Sequence, residues 1–320
     1  MNQSLPRITV VTPSYNQAEY LEQTICSVLD QGYPNLEYLV IDGGSTDRST
    51  EIIQRYERHL AYWVSEKDRG QTHAINKGLQ RATGTILAYI NSDDFYLPGA
   101  FQRVADEFMG KPHLDLVHGR CRFVDVSGNK TREHYGAIES FEQIVNVWDF
   151  WWNQRQFIQP EVFWSRRIMD RVGPLREDLY FVMDFEYWAR MLAAGGLVGK
   201  VDAELASFRV TPVQKTQRVE ELRNELLEVV RRLLWDRSMP IARSRRIALQ
   251  GKWLFDSVFL REAQNSVVRG DARVVRWLRL LGLTLRHPKM LLSPIFRNHV
   301  CGNAGQLVSR GESVSGNTSR

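Results

Sequence analysis

Cysteine is scarce in this 320-residue chain: only Cys26, Cys121 and Cys301 occur. Three widely spaced thiols exclude a disulfide framework and a Cys-based zinc site, and they predict a reducing compartment. Long apolar runs are also missing. No stretch of about 18 apolar residues occurs, so no bilayer-spanning helix is expected. The first apolar run, Ile8 to Val11, is too short for a secretory h-region and leads into polar TPSYNQ, so no leader is expected either. Glycine-rich phosphate loops are absent. No G-x-G-x-x-G follows the first apolar run and no G-x-x-x-x-G-K-[ST] occurs, which excludes a dinucleotide-binding dehydrogenase and a P-loop enzyme. Internal repeats are absent too. With 43% apolar and 25% charged residues, the composition is that of a folded globular protein. Only residues 302–320, polar with little to bury, predict disorder.

The net charge of +5 conceals a split. Residues 1–213 hold 22 Lys/Arg against 28 Asp/Glu, and residues 214–320 hold 20 against 9. The body is mildly acidic and the tail strongly basic, which predicts an anionic partner for the tail.

The first hundred residues alternate between short β-branched runs and helical stripes. RITVVTP (7–13), LEYLVID (36–42), AYWVSE (61–66) and TILAYIN (85–91) read as strands. Between them lie Leu21, Ile25, Val28 and Leu29, then Ile52, Ile53, Tyr56 and Leu60, then a helix over 71–82. Asn16 with Glu19 predicts a capping box, and Pro98 suits the first turn of the next helix. Such alternation predicts an α/β fold with a mostly parallel central sheet flanked by helices. Ligands of such a sheet bind beyond the carboxyl ends of its strands. PSYN, DGGSTD and NSDD all fall at such ends. Residues 115–125 and 199–210 read as further strands, and 183–194 as a helix. From 214 on the pattern is helical and Arg-rich. The expected organisation is therefore a domain over 1–213, a basic helical extension over 214–301 and a tail over 302–320.

Two adjacent carboxylates in NSDD, just after a buried strand, repel one another, and a hard divalent cation removes that cost. The same pair could instead cap the helix that begins near Leu97, and spacing alone leaves both readings open. Asp42 ends a strand before Gly43-Gly44, where a carboxylate either fixes a base or ribose or simply closes a turn. Lys67, Asp68, Arg69 and Lys77 surround a helix start that suits a phosphate as well as it suits solvent. Asp184 and Glu186 lie two apart, so on a helix only one faces a given cleft. That one could act as a general base. His73 and His118 read as structural. Trp148, Phe150, Trp151, Trp152, Phe157, Phe163 and Trp164 read mostly as core, with a sugar- or lipid-facing role as the alternative.

The ordered set VTPSYNQ, VIDGGSTD, SEKDRGQTHAINKGLQRATGTILAYINSDDFYLPGA and QPEVFW…MDFEYWARM, over about residues 6–210, resembles the family 2 glycosyltransferases, inverting enzymes of GT-A fold. The resemblance implies a nucleotide-sugar donor, a divalent metal (Mn2+ or Mg2+) and a glycan or lipid-linked acceptor. Pro13, Tyr15 and Asp42 match the nucleotide pocket, and Asp68 and Arg69 the loop near the diphosphate. Asn91 stands where many members have the first Asp of the metal motif. Asp93 matches its metal-binding residue, with Asp94 assisting. Asp184 matches the catalytic base, with Met183 in place of the usual acidic neighbour. Surface polysaccharide or glycolipid assembly follows by the same resemblance, as does a cytoplasmic location, peripheral on the membrane.

The basic tail contains a second signal. Arg269, Arg273, Arg276, Arg279 and Arg286 share one side of a helical projection, opposite Val274, Trp277, Leu278, Leu281 and Leu285. This pattern fits a helix lying in an anionic membrane interface and equally a helix packed on protein with a solvated Arg face. No nucleic-acid-binding motif accompanies the charge, so none is expected as partner. Two further functional classes remain beside the transferase: a sugar nucleotidyltransferase, which would release pyrophosphate, and a non-catalytic nucleotide-sugar-binding protein.

Overall fold

The computed structural model describes residues 5–212 and 214–293. The four β-branched runs form β1 (Ile8–Ser14), β2 (Leu36–Asp42), β3 (Tyr62–Ser65) and β4 (Ile86–Tyr89). They lie parallel in the order β3-β2-β1-β4. Every residue of β1 is buried, as a strand covered on both faces requires. The helices between them are α1 (Leu21–Leu29), α2 (Ser49–Tyr56) and α3 (Gln71–Arg81), and α4 (Ala100–Gly110) follows. Leu21, Ile25 and Val28 of α1 share a core with Phe101, Val104 and Ala105 of α4. On α3, a Cβ at Gly78 would come within 2.4 Å of Val11 Cγ1, so this helix packs on β1 at a distance only glycine permits.

The second half of the sheet departs from the parallel expectation. It contains β5 (Phe95–Tyr96), β6 (Leu116–Val124), β7 (Lys130–Tyr135), β8 (Val162–Ser165) and β9 (Val198–Arg209). Strand β8 pairs antiparallel with both β4 and β6, and β5 pairs antiparallel with β9. Strand β7 returns beside β6 through a short turn, a connection that only antiparallel strands can make. Only β6 and β9 run parallel there. The sheet is thus parallel where the first four strands lie and mixed beyond them. Helices α5 (Phe141–Val145), α6 (Arg166–Val172) and α7 (Met183–Ala193) complete this half. Of the dense aromatics, Trp148, Phe157, Phe163 and Trp164 are core, while Trp152 is exposed.

Two local expectations fail. Asn16 forms no capping box: it adopts φ +52° and its Oδ1 accepts the Thr46 N–H at 2.8 Å. Helix α1 starts only at Leu21, after a turn on the Gln17 carbonyl. Pro98 likewise precedes its helix, because Gly99 in the left-handed region is the N-cap.

The chain divides into two compact units, one through Leu226 and one from Leu227 on, with the division inside α8 (Val219–Trp235). Gln214, Lys215 and Glu225, which lie past the expected boundary at 213, bond to Asp93, Gln71 and Val182. The second unit is helical where described, with α9 (Arg243–Leu254), a π-helical turn (Phe255–Leu260), α10 (Arg261–Val268) and α11 (Arg273–Arg286). Leu254, Phe255, Phe259, Leu280 and Met290 form its core. No helix among the described residues is long and apolar enough to cross a membrane. Cys301 and the expected tail over 302–320 lie outside the described residues.

Candidate active site

The parallel register aligns Ser14 with Asp42 and Asp42 with Ser65, so Pro13, Tyr15 and Asp42 sit at one strand edge. Tyr15 is 60% exposed there, whereas Asp42 is fully buried. The Asp42 carboxylate is engaged by its own turn. Its Oδ2 accepts Gly44 N–H at 3.1 Å, Ser45 N–H at 2.8 Å and Ser65 Oγ–H at 2.6 Å, and its Oδ1 accepts Ser45 Oγ–H at 2.5 Å. Asp68 reaches the same place: a Cβ on Gly43 would fall 2.7 Å from its Oδ2. Its Oδ1 accepts Gly70 N–H at 2.8 Å, just ahead of α3. Arg69 points elsewhere, into a two-pronged bond with Glu177 at 2.6 and 3.2 Å. That pair is exposed and worth little, so the guanidinium is easily exchanged to another anion.

The NSDD turn separates its two carboxylates. Asp94 is fully buried; its Oδ1 accepts the Arg209 N–H at 2.8 Å and its Oδ2 the Asn91 amide at 3.3 Å. Burial, reinforced by the Asp93 charge, pushes Asp94 well above the usual carboxylate range. Asp93 is half-buried and accepts Gln214 Nε2–H at 3.2 Å. Burial raises its pKa too, against the Gln214 bond and the charges of Arg209 and Lys215. So Asp94 braces β9 from inside, and Asp93 is the less buried of the two. Arg209 locks this turn. Its guanidinium donates to the carbonyls of Asp93 (2.9 Å), Val126 (2.7 Å) and Asp125 (3.2 Å) and to Gln23 Oε1, and it lies over the Tyr20 and Phe95 rings.

Asp184 stands in the first turn of α7, half-buried, accepting the Phe185 N–H at 2.7 Å. Burial raises its pKa, and the Phe185 bond and the Lys215 charge oppose that rise. Glu186 turns instead to Arg190 of its own helix at 2.9 Å. The i, i+2 pair splits as helix geometry demands. The entry to α7 is held by Glu225, whose carboxylate accepts the N–H groups of Tyr180 (2.8 Å), Phe181 (2.6 Å) and Val182 (3.0 Å).

Lys215 joins the two sides. Its Nζ donates to Gln71 Oε1 at 2.5 Å and to the Tyr180 carbonyl at 2.9 Å. Gln71 in turn donates to Asn91 Oδ1 at 2.5 Å. One polar chain thus runs from the NSDD turn through the start of α3 to the start of α7, and the Lys215 charge acts on both Asp93 and Asp184. The structure brings Asp93, Asn91 and Asp184 together around it. It leaves Asp42 and Asp68 with Pro13 and Tyr15 along the β1–β2 edge, and Arg69 on Glu177. Gln71, Arg209, Gln214, Lys215 and Glu225 carried no signal of their own in the sequence. A run such as TPVQKTQR, with a proline and no periodicity inside a segment otherwise read as helix, was the one available hint. His73 accepts the Arg69 N–H and His118 is buried against Phe157, both structural roles.

Among the described residues no three His, Cys, Asp or Glu side chains form a metal cage. A half-buried Asp93 whose charged form is penalised by burial nevertheless suits a hard cation that takes its remaining ligands from phosphate oxygens and water.

The family model for Glycosyl transferase family 2 matches residues 9–176, more than half of the chain. The chain belongs to that family. Chondroitin synthase of Escherichia coli is 31% identical to this family 2 chain over 146 residues, 45% of this chain and 21% of that protein. The chain spans about half the length, or less, of the first curated relatives it matches. Among solved structures, S. aureus TarS 1-349 in complex with UDP-GlcNAc matches with a TM-score of 0.63 at 15% identity, covering 92% of this chain and 87% of that one. A mannosyltransferase from Pyrobaculum calidifontis in complex with GDP-Man and Mn2+ matches with a TM-score of 0.55 at 18% identity, covering 96% and 88%. These likenesses identify the fold as GT-A. The family match stops before Asp184, Arg209 and Lys215, so the second half of the site rests on the geometry above.

Proposed function

We propose that this chain is an inverting glycosyltransferase that moves a sugar from a nucleotide-sugar donor to a hydroxyl acceptor. The observation that carries this reading is the junction at Lys215, which bonds Gln71 and the Tyr180 carbonyl and whose charge acts on both Asp93 and Asp184, far apart in sequence. The Pro13, Tyr15, Asp42 and Asp68 edge lies at the carboxyl ends of β1 and β2, where a nucleotide is expected in a sheet of this kind. Asp184 is the general base. Burial strengthens its carboxylate as a proton acceptor. It takes the proton of the acceptor hydroxyl, whose oxygen attacks the anomeric carbon from the face opposite the diphosphate. The new C–O bond forms as the bond to phosphate breaks, and the configuration inverts. Asp93 faces the departing side. Asp93, with Asn91 beside it, would hold Mn2+ or Mg2+, which would supply neutralising charge for the leaving nucleoside diphosphate. Support for such a donor comes from the UDP-GlcNAc and GDP-Man complexes of the two structural relatives, and polysaccharide assembly from the chondroitin synthase likeness.

Calorimetric titration of UDP- and GDP-sugars with Mn2+ tests the division of roles. Asp93→Ala should lose metal-dependent donor affinity, while Asp184→Ala should bind donor and release no nucleoside diphosphate. Equal loss of affinity in both refutes the assignment.

We also propose that α11 meets an anionic membrane surface. Leu278, Leu281 and Leu285 repeat along one face of this helix at 64%, 55% and 75% exposure, an apolar stripe left in solvent. Arg286 is exposed beside them. Arg269 and Arg279 are already paired with Glu262 and Asp271, and the expected contributions of the Arg273, Val274, Arg276 and Trp277 side chains lie outside the described residues. The leucines therefore bear the membrane reading more than the arginines do. Flotation with anionic liposomes should bring the protein up, and Leu278→Glu with Leu281→Glu should leave it behind. No flotation of the unaltered protein refutes membrane docking.

A further inference from the structure

Lys215 lies between β9 and α8, in a segment whose side chains fold back over the junction. An ammonium has three protons to place. Two go to neutral oxygens, of Gln71 and Tyr180, and the third has the Met183 sulfur at 3.8 Å, a weak acceptor. Among the described residues Lys215 makes no direct ion pair, yet Asp184, Glu225 and Asp93 all act on its charge. Glu225 is already filled by three backbone N–H groups. The remaining counter-charges, Asp93 and Asp184, are the two carboxylates the proposed reaction uses. The lysine also stands at the first residue of α3 and just ahead of α7, and both helix starts favour an anion over a cation. A cation held in such a place by neutral oxygens, the Met183 sulfur and the Tyr180 ring face at 5.4 Å has no anion in direct contact among the described residues. The proposed reaction brings one: the diphosphate of the donor.

We propose that Lys215 is a donor-binding residue, which in the donor-free protein serves as the counter-charge of Asp93 and Asp184 and then turns to the donor's diphosphate. The inference rests on the transferase reading and adds a coupling to it. While Lys215 faces the two carboxylates, it opposes a divalent cation at Asp93. Once it contacts the diphosphate, that opposition is gone. Divalent cation and donor then bind far better together than either does alone. Gln214, next in the chain, bonds Asp93 directly, so movement of Lys215 also loosens that bond on the carboxylate.

The test is calorimetric titration of Mn2+ alone, and of UDP and GDP each with saturating Mn2+, into the unaltered protein, Lys215→Met and Lys215→Arg. Lys215→Met should bind Mn2+ alone several-fold more tightly and the Mn2+-nucleotide about tenfold or more weakly, as the loss of one charged hydrogen bond predicts. Lys215→Arg should keep nucleotide affinity within a few-fold. A purely structural lysine would shift both affinities in the same direction, and that result, or no shift in either, overturns the inference. Should Lys215→Met fail to fold, Lys215→Gln retains donors for Gln71 and the Tyr180 carbonyl and is read by the same signs. Unaltered protein that binds neither UDP nor GDP with Mn2+ overturns the transferase reading and this inference together; nucleotide binding that Lys215→Met leaves unchanged overturns this inference alone.

Discussion

Replacing Arg209 by lysine keeps the charge and removes the fork. The native guanidinium is 2% exposed and donates to four acceptors spread over three segments: Gln23, Asp93 and the 125–126 turn. A lysine offers three protons from one point, so at least one of those four acceptors loses its donor inside the protein. A hydrogen bond from a charged group contributes about 1.5–3 kcal/mol, which sets the loss at roughly 1.5–3 kcal/mol or more. For a unit of this size each kcal/mol moves Tm by about 2–4 °C, so Arg209→Lys should melt at least roughly 3–12 °C lower by scanning calorimetry. The second consequence concerns function. The Nε–H holds the carbonyl of Asp93 itself, so Mn2+-nucleotide affinity should fall even well below the new melting point. A variant that melts within about 2 °C of the native protein would refute the clamp, because no single substitute geometry satisfies all four acceptors.

Glu225→Gln should leave the chain folded and free the entry to α7: amide hydrogen exchange at Tyr180, Phe181 and Val182 should quicken, since one side-chain oxygen cannot serve three N–H groups. Unchanged protection there would remove Glu225 from the positioning of Asp184. His118 makes a pH prediction. Burial, with the charges of Lys200 and His134 against the Gly119 carbonyl bond, lowers its pKa to about 4 from 6.5. The folded state therefore binds fewer protons than the unfolded one across that window. Stability present above pH 6.5 is lost as pH falls toward 4, by about 3 kcal/mol in all. Urea unfolding at both ends should show a smaller acid loss in His118→Gln than in the native protein, and equal losses would contradict the assignment.

Much of the parallel half was legible because its signals are local. Ile8 to Val11, interrupted only by Thr9, and Leu39 to Ile41 are apolar runs, and burial on both faces is what such runs require. The split between Asp184 and Glu186 followed from helix geometry alone. The reversal at β8 was not legible, since VFWS has the same composition in either direction and only its partners β4 and β6 fix its sense. Strand β5 is two residues long and hidden inside NSDDFYLP, too short for any period. Asn16 and Glu19 have capping-box spacing, but Thr46 competes for the Asn16 oxygen from thirty residues away. Lys215 was masked by its company, one cation among the 20 of a basic tail, and only three-dimensional contact distinguishes it from them.

The carboxylates of Asp42 and Asp94 have a consequence for anyone scanning this region with alanine. Both are fully buried, and both have their two oxygens occupied by the protein's own donors. Their removal loosens the loops they hold, in addition to any contact with a donor. A scan scored on turnover alone would return the same zero for these two as for Asp93 and Asp184, merging scaffold with chemistry. Scoring each variant for melting temperature alongside turnover sorts the four acids into those that build the cleft and those that work in it.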